Sequence, residues 1–215
     1  MKKLLAEWRN YLEEVQEPTK KLRVLIIGDS QTATIGRHLE NKLKGQYFVK
    51  RHTRSGFPVD KIYTELQKIK GHYDVAVIFA GGNGVAAPAS VNNMLDYLES
   101  KRANVIWVGP PPATAITKKR NAEVRFSTII KNPATHWRDN GTWLRREKNN
   151  ITIEKATEGR ATYVDVRDIL VPFPAQRDGI HVAAPWSAKI ADNIVGRINK
   201  IPVREMPPPP KESAR

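Results

Sequence analysis

Apolar residues follow two rhythms along this chain, and the alternation between them predicts the architecture. Short apolar runs at 23–27, 47–52, 74–80, 104–108 and 162–166 read as strands. The run at 74–80 is continuous in Val, Ile and Phe, as a strand covered on both faces requires. Between these runs the spacing changes to the helical period, over 32–43, 59–69, 88–100 and 185–198. The helix at 59–69 is clear, with Val59, Ile62, Tyr63, Leu66 and Ile69 on one stripe. Strands separated by helices in this way predict an α/β protein: one parallel sheet of five strands with helices on both faces.

Three segments leave the rhythm. Leu4, Leu5, Trp8, Tyr11, Leu12 and Val15 share one helical face, and Pro18 closes it. Thr19, Lys20 and Lys21 separate this helix from the first strand, so residues 1–17 read as an appendage to a domain at 22–200. Such a helix packs on its own domain or docks a protein partner. The second segment, 113–160, holds an expected helix near 119–131 and then the polar, aromatic run from His136 through Trp137 to Trp143. Long excursions of this kind serve function or mobility, here as a substrate-binding or lid segment. The third is a Pro-rich tail over 201–215, with Pro207 to Pro210 consecutive, and it builds no core.

Composition changes this picture in two respects. There is no cysteine, which excludes disulfides, thiolate metal sites and a thiol nucleophile. The formal net charge is +14, which favours anionic partners. The positive residues are dispersed, however, with short clusters only at Lys118–Lys119–Arg120 and Arg145–Arg146, and both read as solvated surface. Neither a nucleic-acid motif nor a basic arm accompanies them, so nucleic acid is not the expected partner. No run approaches the roughly 20 apolar residues that span a bilayer. Glu7, Arg9, Asn10, Glu13 and Glu14 interrupt any signal-peptide core. The expected location is therefore cytoplasmic, or virion-associated if the leading helix resembles those on some bacteriophage structural proteins.

The chemistry lies at the ends of the expected strands. Ser30, in Gly28–Asp29–Ser30, follows the first strand, where sites form in open α/β sheets. Asp178 and His181 lie three apart before the last helix, so one turn brings a carboxylate to an imidazole. A serine hydroxyl becomes a useful nucleophile when an imidazole takes its proton and a carboxylate fixes that imidazole's tautomer. The run Gly81–Gly82–Asn83–Gly84 lacks the glycine order and the following Lys of a phosphate cradle. His38, His52 and His72 read as ordinary surface or satisfied residues, and no histidine has metal-ligand spacing. No cofactor is expected.

Four short motifs, in order and each at an expected strand end, resemble those of the SGNH (GDSL-type) hydrolases. They are Gly28–Asp29–Ser30 after strand one, Gly56 after strand two, Gly81–Gly82–Asn83 after strand three and Asp178 to His181 before the last helix. The resemblance covers about 22–199. It implies a flavodoxin-like three-layer sandwich with strand order 2-1-3-4-5. It also implies Ser30 as nucleophile, His181 as base and then acid, and Asp178 as the group that orients the ring. The oxyanion hole would comprise the N–H groups of Ser30 and Gly56 and the Asn83 amide. Asp29, His136, Trp137 and Trp143 are the implied or candidate substrate contacts. One departure stands out: the family's third motif usually continues with aspartate, whereas Gly84 follows Asn83 here. A carboxylate there would brace the loop, and its absence lowers the expected catalytic efficiency.

The function expected from these residues is a serine esterase that removes a short acyl group, acetyl first, from a carbohydrate or similar polar substrate. The competing expectations are a lipase or thioesterase, and a catalytically weakened binding or assembly protein that uses its leading helix.

Overall fold

The computed structural model describes residues 21–111, 142–170 and 181–202, with the side chains of 142–144 excepted. The appended helix, the helix near 119–131, His136, Trp137, Asp178 and the tail from 203 lie outside the described residues, as does the side chain of Trp143.

Five strands form one sheet: β1 (Arg23–Gly28), β2 (Phe48–Thr53), β3 (Val75–Phe79), β4 (Asn104–Val108) and β5 (Thr162–Val164). Their order is β2-β1-β3-β4-β5 and every pairing is parallel, as expected. β1 pairs with β2 through Arg23–Phe48 to Gly28–Thr53, and with β3 through Val24–Val75 to Gly28–Phe79. Both registers bring Gly28 level with the last residue of its neighbour. The loops carrying Ser30, Gly56 and Asn83 therefore leave the sheet side by side.

The period of two along the strands divides the core into two layers. Val24, Ile26, Val77, Phe79 and Ile106 face α1 (Ser30–Leu43) and the last helix, α6 (Ala184–Ile198). Leu25, Ile27, Ala76, Ile78 and Trp107 face α2 (Val59–Lys68), α3 (Pro88–Ser100) and α4 (Thr142–Thr157). β1 and β3 are buried on both faces, which explains why they read as continuous apolar runs. Edge strand β2 is only half buried and carries Lys50 and Arg51, charges that discourage pairing with another chain. No described helix is long and apolar enough to cross a membrane.

The expected elements recur with shifts at their ends, and each shift has a local cause. The first helix begins at Ser30 rather than 32 because the Asp29 side chain caps it, accepting the Gln31 N–H. The fifth strand stops at Val164 rather than 166 because Asp165 caps a short helix, α5 (Val166–Ile169). The larger difference is α4, a sixteen-residue helix in the part of the 113–160 excursion where no element was expected. Its buried positions among the described side chains are Arg146, Asn149, Asn150, Ile153 and Thr157. Their spacing is helical, but four of the five are polar. A search for apolar periodicity therefore finds nothing there.

Candidate active site

The carboxyl end of the sheet gathers the described candidates. β1 ends at Gly28, the chain turns through Asp29, and Ser30 is the first residue of α1. The Asp29 N–H donates to Phe79 O at 2.8 Å, which ties the turn before Ser30 to the end of β3. The Arg54 N–H donates to Gly28 O at 2.8 Å and ties the exit of β2 to the same place. Gly56 sits in the exposed turn that follows. Half-buried Asn83 donates its Nδ2 hydrogen to Asp29 Oδ2 at 3.3 Å. His181 lies just ahead of α6 and is close enough to Asp29 to favour its ionised form. Asp29, next to Ser30, and Asn83 thus meet at the N-terminus of α1, with His181 within electrostatic reach of Asp29.

Asp29 itself is 2% exposed. Its oxygens face the Gln31 N–H, the Asn83 amide and the Gly82 N–H, so its carboxylate braces the site from within. A Cβ at Gly82 would meet Asp29 Oδ2 at 2.8 Å and push against the carboxylate. Burial pushes the Asp29 carboxyl up to about 6, against the pull of the Gln31 N–H, the Arg146 guanidinium, the Gly82 N–H and His181.

That shift makes stability depend on pH. The ordinary value is 3.8, so the folded chain holds this proton more tightly than the unfolded chain does. Stability from this group therefore falls as pH rises from about 4 to 6, and above 6 the ionised carboxylate costs about 3 kcal/mol. Asp29→Asn removes that dependence: the difference in unfolding free energy between variant and parent should shift toward the variant by about 3 kcal/mol from pH 4 to pH 7. Urea melts at the two pH values measure it, and parallel curves would refute the assignment.

The residues missed by sequence reasoning all come from α4. Arg146, expected on a solvated surface, is 3% exposed and stands beside Asp29. Its Nε donates to Gly82 O at 3.2 Å and its Nη1 to Pro111 O at 2.9 Å, so one side chain joins the loops after β3 and β4. Asn150 donates to Pro110 O at 3.1 Å and accepts the Tyr163 hydroxyl at 2.6 Å. Glu147 pairs with Arg167, which also pairs with Asp165 at the end of β5. The signal that could have found this helix is a polar stripe at helical spacing, 146, 149, 150 and 157, in place of an apolar one.

The remaining histidines fit the ordinary roles expected of them where contacts are defined. His52 Nε2 lies 3.3 Å from Glu65 Oε2, and His72 Nε2 lies 3.2 Å from Asp74 Oδ1.

Comparison with known proteins gives the class. No family model matches this sequence, and no curated protein does. Solved structures do match the fold. A GDSL-like lipase from Bacteroides thetaiotaomicron superposes with a TM-score of 0.60 at 18% identity, over 91% of this chain and 98% of that one. A psychrotrophic esterase from Pseudoalteromonas sp., solved inhibited by monoethylphosphonate, gives 0.56 at 14% identity, over 84% and 100%. The catalytic domain of a peptidoglycan O-acetyltransferase from Streptococcus pneumoniae gives 0.52 at 15%, over 83% and 93%. With the sheet order 2-1-3-4-5 and helices on both faces, these likenesses show that the chain has the SGNH hydrolase fold.

Proposed function

We propose that this chain is a serine esterase that removes short acyl groups, acetyl first, from a carbohydrate or similar polar substrate. One observation carries the reading: Ser30 opens α1 at the end of β1, and its neighbour Asp29 bonds Asn83 and lies within electrostatic reach of His181. In this mechanism the Ser30 hydroxyl attacks the ester carbonyl while His181 takes its proton. Asp178 holds the ring and stabilises the imidazolium. His181 then protonates the departing alkoxide, and the same cycle with water releases the acid.

The oxyanion would meet the Ser30 and Gly56 N–H groups and the Asn83 amide. The start of α1 suits negative charge, because its first N–H groups have no partner within the helix and its dipole is positive there. Gln31 N–H is already used by Asp29 Oδ1 and Thr32 N–H by Asp29 O, which leaves the Ser30 N–H for substrate in this scheme. The lipase and esterase neighbours support ester hydrolysis, and the O-acetyltransferase neighbour supports an acetyl group on a glycan. The aromatic run with Trp137 and Trp143 supplies ring faces suited to sugars.

Rates on p-nitrophenyl acetate, butyrate and octanoate test the acyl preference. The expected kcat/KM falls at least about tenfold from acetate to octanoate, since one or two methylenes misplaced in a pocket are worth that much. A preference for octanoate would replace the deacetylase by a lipase.

A further inference from the structure

The loop from Gly81 to Ala86 carries Asn83, and it begins where β3 ends. Gly84 takes φ of +63°, and a Cβ there would meet Pro58 Cβ at 2.9 Å. The aspartate that SGNH hydrolases usually carry at this position would be both strained and crowded here. Besides Asp29 and Arg146, which hold Asn83 and Gly82, the loop is braced by Asn149, sixty-odd residues away on α4. This side chain is 2% exposed and spends its whole amide on the loop. Its Nδ2 donates to Gly81 O at 2.7 Å and to Gly84 O at 2.9 Å. Its Oδ1 accepts the Ala86 N–H at 2.9 Å. The three bonds bracket Asn83 on both sides.

We propose that Asn149 is the positioning residue of the oxyanion hole, holding the Gly81–Ala86 loop so that Asn83 presents its amide to the reacting oxygen. The role rests on the esterase mechanism above and adds to it a residue from outside the four motifs. Asn149 has no contact with substrate in this scheme; it acts through Asn83. Two donors on loop carbonyls and one acceptor on a backbone amide fix three points of the loop, and a primary amide supplies two donors and an acceptor from one side chain. The geometry of a preorganised donor decides its catalytic worth, because it must aim at charge that develops only in the transition state.

A double-mutant cycle on p-nitrophenyl acetate tests the assignment, using the full chain. Asn83→Ala should lower kcat about 10²-fold. Asn149→Ala should lower kcat about 10- to 100-fold with KM within about threefold, since the ground-state ester does not use the donor. The double variant should lose little beyond Asn83→Ala alone, because a positioning residue without its target has nothing left to hold. Ile151→Ala, at an exposed position on the same helix, should match the parent. If Asn149→Ala melts below the assay temperature, Asn149→Leu carries the same cycle: it keeps the volume, buries no charge and loses all three bonds. Losses that multiply in the double variant, or an Asn149 variant with unchanged kcat, would overturn the proposal while leaving the esterase intact. If Asn83→Ala and Ser30→Ala both retain full activity, the esterase mechanism itself falls.

Discussion

Ser30→Ala is expected to lower kcat/KM on p-nitrophenyl acetate by about 10⁴-fold or more, with the unfolding curve of the variant matching the parent. The size follows from the division of labour in such sites. Removing the nucleophile forbids the acyl-enzyme, and what survives is the modest catalysis available from binding and oxyanion donors alone. The matching stability follows from position. Ser30 is half-buried at the first position of α1, and the helix cap is the carboxylate of Asp29, which the substitution leaves in place. A loss of activity accompanied by a lower melting temperature would therefore point to damage rather than to chemistry.

Arg146→Met is expected to destabilise the fold by about 3–5 kcal/mol at pH 7.5, the range for removing one partner of a buried charge pair. The side chain lies beside Asp29, which is fully buried, and it also satisfies the carbonyls of Gly82 and Pro111. Without the guanidinium, Asp29 has one cation fewer to offset its desolvation, and its carboxyl should titrate above 6. The penalty should then shrink toward pH 5, where the carboxyl is protonated in the folded chain. Asp29→Asn in the same chain should recover part of the loss at pH 7.5, leaving the cost of the two unpaired carbonyls. Thermal melts at the two pH values check both statements. An equal penalty at pH 5 and 7.5, with no recovery in the double variant, would show that Arg146 acts by packing alone.

The two substitutions divide what the sequence makes legible from what it does not. The sheet, its order and four of its flanking helices follow from patterns that burial writes directly into residue type. Ile26 and Ile27 point to opposite layers, and Ile62 and Leu66 share one stripe. The turn after β1 is equally legible, because Gly28–Asp29–Ser30 combines a glycine, a capping carboxylate and a hydroxyl within three positions.

Helix α4 is illegible for the opposite reason. Its buried side is built to satisfy loop carbonyls rather than to fill a core, so Arg146, Asn149 and Asn150 carry the polarity of surface residues at interior positions. Gly84 shows the same limit at one position. As a departure from the motif it reads as a loss, yet its backbone geometry and the partner that replaces the missing carboxylate depend on residues remote in sequence. A single chain without its contacts cannot display that compensation.

Covalent labelling with a fluorophosphonate bears on the nucleophile with the fewest intervening assumptions. The reagent reports which side chain attacks, independently of the substrate the chain takes. Digestion and mass spectrometry of the labelled protein should find one phosphonyl adduct, on Ser30, and His181→Ala should slow its formation at least about 10²-fold. An active preparation that carries the adduct on another residue, or that hydrolyses p-nitrophenyl acetate while Ser30 stays unmodified and uninhibited, would contradict the assignment of Ser30 as nucleophile.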